Sequence, residues 1–113
     1  MLFLLVILFG IKLYAEGVLV VGMSEIEGQR PYLESGIEEG DMIIAVNGVE
    51  VRTTSELANL INESGESEAA LKLIRDEKEK TVAFRPARTR DDEFKLGLWV
   101  RDGAARGWRT YVL

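Results

Sequence analysis

The stretch GIEEGDMIIAVNG, residues 36–48, decides the fold of this chain. Gly40 suits a backbone position with positive φ, and the Asp41 carboxylate can accept hydrogen bonds from nearby main-chain amides, so the pair predicts a tight turn. The apolar run 42–46 then predicts a strand that is buried on both faces. Asn47-Gly48 is a strong hairpin signal, so the chain is expected to reverse direction after this strand.

The segments around this stretch predict another strand and two helices. Residues 17–22, GVLVVG, are β-branched and bounded by glycines, which indicates a buried strand. Residues 31–35 start with proline and predict one short helical turn. Thr53 and Glu56 have the spacing of a capping box, so a helix is expected over about 54–63.

Three further strands are predicted in the second half of the chain. Residues 71–75 and 81–85 flank the charged turn 76–80, and residues 94–100 alternate as a last strand. One main helix and one short helical turn, on a small antiparallel β-barrel or sandwich of five to six strands, make an α+β fold.

Composition limits the functions that this chain can carry by itself. Its 113 residues are 47% apolar and 29% charged, as expected for one folded domain, and the net charge of −5 argues against nucleic-acid binding. With no histidine and no cysteine it cannot form a Cys nucleophile, a disulfide, a His/Cys zinc site or a His-based triad. We expect no cofactor and no metal, and we interpret the acidic run 91–93 as a solvated loop.

The first residues, MLFLLVILFG, are apolar but too few to span a bilayer, which needs about 20. Three interpretations stay open: a buried or groove-forming strand, the remnant of a membrane anchor, or a secretion signal. The predicted organisation is an apolar N-terminal segment at 1–7, a domain at 8–101 and a divergent C-terminal tail at 102–113.

The segments SGIEEGDMIIAVNGVEV (35–51) and TSELANLI (54–61) resemble the PDZ domain, particularly the bacterial type found in secreted proteases. The resemblance implies a module that binds an extended peptide or a protein C-terminus by β-strand addition.

A narrower resemblance involves GIKLYAEGVLVVG (10–22) and FKLGLWVRDGAA (94–105), which are similar to the sporulation stage IV B family of signalling serine peptidases. That family continues with Gly-Ile-Gly-Thr, whereas this sequence has RGWRT at 106–110. The resemblance implies the regulatory PDZ portion of such a peptidase, located outside the cytoplasm between the two membranes of the developing spore. Its partner would be a membrane-bound sporulation protein or the parent peptidase, and membrane anchoring stays open.

Two alternatives to this function remain. The chain is the N-terminal part of a serine endopeptidase whose catalytic domain lies downstream, or it is a structural domain whose groove is occluded, for example by residues 1–8.

The PDZ resemblance also predicts a binding site. Residues 8–11 match the family's loop that receives a carboxylate, residues 11–13 would form the edge strand, and Lys12 would add positive charge. On the helix, positions three and four apart share a face, and this face would line the groove. The predicted peptide-binding residues are Leu8, Phe9, Gly10, Ile11, Lys12, Leu13, Thr54, Ala58 and Ile61. In the alternative interpretation, 8–11 is a core strand with a glycine bulge and Ile61 is a core residue.

Overall fold

A computed structural model describes residues 4–8, 11–14, 17–102 and 110–113. Its two helices are α1 (Pro31–Ser35) and α2 (Thr54–Ser64). Its strands are β1 (Leu4–Leu8), β2 (Ile11–Tyr14), β3 (Val18–Met23), β4 (Met42–Val46), β5 (Val49–Glu50), β6 (Ala69–Arg75), β7 (Lys78–Phe84), β8 (Ala87–Arg88), β9 (Phe94–Lys95), β10 (Leu98–Asp102) and β11 (Tyr111–Val112).

Most of the strands join one antiparallel sheet in the order β11-β10-β3-β4-β6-β7, with β5 paired to β4 at the side. The pairs β1–β2 and β8–β9 form separate two-stranded sheets. The predicted α+β fold class, with one main helix and one short helical turn, is confirmed. The described residues form eleven strands rather than the predicted five to six, and four of the eleven are only two residues long.

The Gly40-Asp41 turn, just before β4, contains a buried carboxylate. Gly40 has φ 93°, as its predicted turn requires. Asp41, only 1% exposed, accepts a hydrogen bond from the Glu38 amide at 2.8 Å. The Arg75 guanidinium donates two hydrogen bonds to the same carboxylate, one from Nε at 2.7 Å and one from Nη2 at 2.6 Å. This hydrogen bonding raises the pKa of Arg75, which therefore stays charged and holds the turn against β6.

The Asn47-Gly48 hairpin forms as predicted, with both residues at positive φ, 49° and 83°. The Asn47 side-chain oxygen also accepts a hydrogen bond from the Ala70 amide at 2.8 Å, which fastens the turn to β6.

Helix α2 begins with the predicted capping box between Thr53 and Glu56 and ends at Gly65. Its face toward the sheet buries Leu57 and Ile61, at 0% and 2% exposure, in one apolar core. Besides these two, the core holds Val18, Val20, Ile37, Ile43, Val46, Val51, Ala69, Leu71, Leu73, Phe84, Leu96, Leu98 and Val100.

Two predicted boundaries were wrong. The charged turn is limited to Asp76 and Glu77, which take φ of 51° and 65°, so β7 already begins at Lys78. The predicted strand 94–100 is split into β9 and β10. The cause of the split is Gly97, whose φ of 70° is incompatible with an extended strand.

The two ends of the chain are described in part. Strands β1 and β2 pair as a hairpin, in which Leu8 faces Ile11. No helix within the described residues is long and apolar enough to cross a membrane. At the other end, β10 continues to Asp102, and β11 joins the same sheet beyond the undescribed residues 103–109. The domain limits at 7/8 and 101/102 stay predictions.

Candidate functional site

A groove lies between helix α2 and strand β10. Asp102, the last residue of β10, accepts hydrogen bonds from the amide and the hydroxyl of Thr54, the first residue of α2, both at 2.7 Å. Further along α2, Ala58, Ile61 and Asn62 share a pocket with the segment just before β10. The helix and the strand therefore run in opposite directions and form two walls, which the Asp102–Thr54 contact joins at one end.

The other end of the groove is closed by the residues 96–98, here called the amide loop. Its three main-chain amides converge on one acceptor, the main-chain oxygen of Leu113, at 3.0 Å from Leu96, 2.7 Å from Gly97 and 3.2 Å from Leu98. Successive amides that point at one oxygen form a concave anion-binding site, because they combine three partial positive charges. Such a loop suits a carboxylate.

Gly97 makes the amide loop possible. Its φ of 70° lies in the left-handed region, and a Cβ at this position would stand 2.5 Å from the main-chain oxygen of Ser24. The Ser24 amide in turn donates to the Gly97 oxygen at 2.8 Å, so the loop lies directly against the end of β3. Any other residue would have to push these two segments apart.

The edge of β10 pairs with the end of the chain as one strand pairs with another. Trp99 faces Val112 and Val100 faces Tyr111 in an antiparallel ladder. The Leu113 amide donates to the Leu98 oxygen at 2.9 Å. A segment in this position therefore extends the sheet beyond β10.

An apolar pocket lies next to the amide loop. It is lined by Ala58, Ile61, Asn62, Phe94, Lys95, Leu96 and Leu113 and encloses about 30 Å³. Leu113 is partly buried and packs against the core, to which Ile61 and Leu96 belong. The position of Leu113 shows that one apolar side chain fits against this lining, while the Lys95 ammonium group pairs with Glu93 at 3.4 Å.

The structure brings two of the predicted helix residues, Ala58 and Ile61, to this pocket. Ile61 is also a core residue, and its role in peptide binding stays a prediction. Thr54 is 5% exposed, and its hydroxyl is engaged by Asp102.

The predicted loop and edge strand at 8–13 are only partly described. Phe9 and Gly10 lie outside the described residues, while Leu8 belongs to β1 and residues 11–13 to β2. In the described part, β2 pairs with β1 and not with the large sheet. The role of residues 8–13 in peptide binding stays a prediction.

The amide loop was missed in the sequence. Leu96-Gly97-Leu98 has the same apolar-Gly-apolar pattern as Phe9-Gly10-Ile11. The alternation of residues 94–100 predicts one uninterrupted strand and so conceals this pattern.

The described residues contain no group of three or more acidic side chains placed to hold a metal ion. In the acidic run 91–93, Asp92 pairs with Arg88 at 2.7 Å on the surface. The groove instead offers converging amides, a strand edge and an apolar pocket, which are the parts of a binding site.

Comparisons with known proteins agree with this geometry. The family model of the PDZ domain matches residues 34–75. The zinc metalloprotease RasP of Bacillus licheniformis is 31% identical over 80 residues, which are 71% of this chain and 18% of that protein. The chain therefore spans about a fifth of the length of this relative.

Solved structures of similar fold include two PDZ domains of SdrC-like proteins. That of Listeria monocytogenes has a TM-score of 0.61 at 15% identity and covers 80% of this chain and 93% of its own. That of Listeria innocua has a TM-score of 0.62 at 18% identity, with coverage of 75% and 93%. A solution structure of a Geobacillus thermodenitrificans protein has a TM-score of 0.57 at 24% identity, with coverage of 74% and 94%. Together with the match at residues 34–75, these likenesses show that the chain folds as a PDZ-like domain.

Proposed function

We propose that this domain binds extended peptide segments, with a free C-terminus preferred, in the groove between α2 and β10. The segment adds a strand to the edge of β10, and its last main-chain oxygens lie in the amide loop. The pocket beside Ala58 and Ile61 receives its last side chain, for which an apolar residue is the best fit.

The observation that carries this proposal is the convergence of the Leu96, Gly97 and Leu98 amides on a single oxygen. Amides normally pair one by one in a ladder, so three of them on one acceptor need a local bend such as the one at Gly97. An isolated structural turn has no need of an apolar pocket and, beside it, a strand edge that pairs with a separate segment. Here all three features meet at the end of one groove.

The size of the site sets the expected affinity. Full burial of one apolar side chain contributes about 1.5–3 kcal/mol. A few main-chain hydrogen bonds add roughly 1 kcal/mol each. After the cost of association, micromolar dissociation constants are expected rather than nanomolar ones. Binding of this strength suits a regulatory contact that forms and dissociates repeatedly.

We further propose that the domain is the regulatory part of a sporulation signalling serine peptidase, acting outside the cytoplasm between the membranes of the developing spore. Its partner would be a membrane-bound sporulation protein or the peptidase itself. The support is the similarity of residues 10–22 and 94–105 to that family. The match to RasP supports a different parent, a zinc metalloprotease, for the same kind of module. Loss of spore formation on deletion of the gene, restored by the wild-type gene but not by one that encodes Ala58→Trp, would favour the sporulation role.

The alternative of a purely structural domain makes a different prediction in a binding screen. A library of peptides with free carboxylates is screened against the purified chain and against its Leu113→Asp variant, in which the end of the chain is displaced from the pocket. We expect peptides with an apolar last residue to be selected. A library that yields no binder to either protein would contradict the proposed function.

A further inference from the structure

We propose that residues 110–113, Thr-Tyr-Val-Leu, are an internal ligand that occupies the peptide groove of its own chain and competes with external peptides. This inference rests on the proposed function of the groove. In this proposal, a segment of the same chain controls access to the groove. The peptides that the groove prefers should resemble this segment.

The main-chain contacts of the segment are those of a bound peptide. Leu113 receives three hydrogen bonds from the amide loop and donates one to the Leu98 oxygen. Tyr111 and Val112 continue the pairing along β10. These contacts use the main-chain oxygen of Leu113, which a terminal carboxylate and an internal carbonyl both offer. The occupied positions are therefore the ones that an external peptide would need.

The side chain of Leu113 lines the pocket, together with Ala58 and Ile61. A space of about 30 Å³ remains beside it. A peptide whose last side chain takes the position of Leu113 must therefore displace this residue. Because strand side chains alternate, Val112 points away from the pocket and is 49% exposed. The groove therefore discriminates between peptides mainly by the side chain at the position of Leu113.

Residues 110–113 make few enough contacts with the groove for their binding there to be reversible. The segment is held by one short ladder, by the amide-loop hydrogen bonds to Leu113 and by one partly buried apolar side chain, while Tyr111 and Val112 stay 37% and 49% exposed. A short tether gives such a ligand an effective concentration of about 1 mM. With an intrinsic dissociation constant of about 100 µM, the groove would be occupied about 90% of the time, and external peptides would bind about tenfold more weakly.

The chain itself offers a matched pair of variants. Leu113→Asp places a charge in the apolar pocket and releases the segment. Val112→Asp adds the same charge one residue earlier, on the exposed side of the strand, and leaves the segment in place. The probe is a fluorescein-labelled peptide of sequence Arg-Thr-Tyr-Val-Leu with a free carboxylate, and its anisotropy is measured against the 113-residue chain and both variants. Circular dichroism verifies that each variant is folded, and Leu113→Gly replaces Leu113→Asp should the latter unfold.

We expect the probe to bind Leu113→Asp about tenfold more tightly than the unchanged chain, with Val112→Asp equal to the unchanged chain. In the unchanged chain, a nuclear Overhauser contact between the Leu113 and Ala58 methyl groups should be present. Equal affinities for all three proteins, or absence of this contact, would overturn the internal ligand and leave the groove's function intact. Binding to none of the three, by the probe or by any library peptide, would instead overturn the proposed function.

Discussion

Asp102 Oδ1 accepts two hydrogen bonds from Thr54, one from the main-chain amide and one from the hydroxyl, both 2.7 Å long. A single carboxylate oxygen thus joins the end of strand β10 to the start of helix α2. Negative charge is favourable at this position because the helix dipole is positive at its N-terminus. The contact fixes the distance between the two walls of the groove.

Replacing Asp102 by alanine tests this contact. The Thr54 hydroxyl and amide lose their acceptor while Thr54 stays 5% exposed, so we expect a loss of about 1–3 kcal/mol in the free energy of unfolding. Peptide affinity should fall as well, because the walls are no longer held at one spacing. Urea denaturation measures the first effect and probe anisotropy the second. The exposed Asp92, which pairs with Arg88 on the surface, provides the control: Asp92→Ala should change stability by less than about 1 kcal/mol. Equal effects of the two substitutions would contradict the role given to Asp102.

Ala58→Trp should abolish peptide binding and leave the fold intact. Ala58 is half-buried at the wall of the pocket, so a large side chain there would occupy the pocket without entering the core. Its neighbour Asn59 is exposed and does not line the pocket. Asn59→Trp therefore adds a side chain of the same size as a control. We expect at least a tenfold loss of affinity for Ala58→Trp and no loss for Asn59→Trp. The measurement is made in the Leu113→Asp background. Undiminished binding by Ala58→Trp would show that the peptide does not occupy this pocket.

Gly97→Ala should damage the amide loop more than a left-handed backbone alone explains. An alanine at positive φ costs about 1–2 kcal/mol, and here its Cβ would also stand 2.5 Å from the Ser24 oxygen. Gly28 is the matched control, since its φ is 81° and no atom lies within 4 Å of a Cβ placed there. Thermal unfolding should show a larger loss for Gly97→Ala than for Gly28→Ala, together with weaker peptide binding only in the former. If Gly97→Ala were as mild as Gly28→Ala, the close approach to Ser24 would not constrain the loop.

Asp41→Ala should be one of the most destabilising substitutions of a polar residue in this domain. It would leave Arg75 without its bidentate partner and the Glu38 amide without its acceptor. Because Asp41 is 1% exposed, we expect a loss of about 3 kcal/mol. The exposed pair Arg30–Glu25 is the comparison, where Glu25→Ala should cost less than about 1 kcal/mol. Similar midpoints of urea unfolding for the two variants would show that the Asp41 contact adds little stability.

Much of the fold was predictable because local signals and tertiary structure agree. The Gly40-Asp41 turn, the Asn47-Gly48 hairpin and the capping box of α2 each depend on residue types whose backbone preferences are strong. The apolar run 42–46 is short and bounded by turn signals, which favours a buried strand over a helix. The short helix 31–35 with Gly36 at φ 79° also formed as its proline and glycine indicate.

The amide loop was not predictable from periodicity. Residues 94–100 alternate as a strand would, but Gly97 takes a positive φ and packs against Ser24, a residue far away in the sequence. The Thr54–Asp102 contact joins residues 48 positions apart, and no local pattern indicates such a pairing. Residues 54, 58 and 61 were placed on one helix face by their spacing. Which of them meets a ligand and which meets a carboxylate of the same chain depends on the tertiary structure.

The most direct test of the account is a nuclear magnetic resonance titration of the Leu113→Asp variant with the peptide Arg-Thr-Tyr-Val-Leu. The free acid should shift the Gly97 amide and the Ala58 methyl group in a saturable manner, and the C-terminally amidated peptide should do so more weakly. Shifts that centre on residues 11–13 while Gly97 and Ala58 stay unchanged would place the ligand on the N-terminal hairpin and contradict the account.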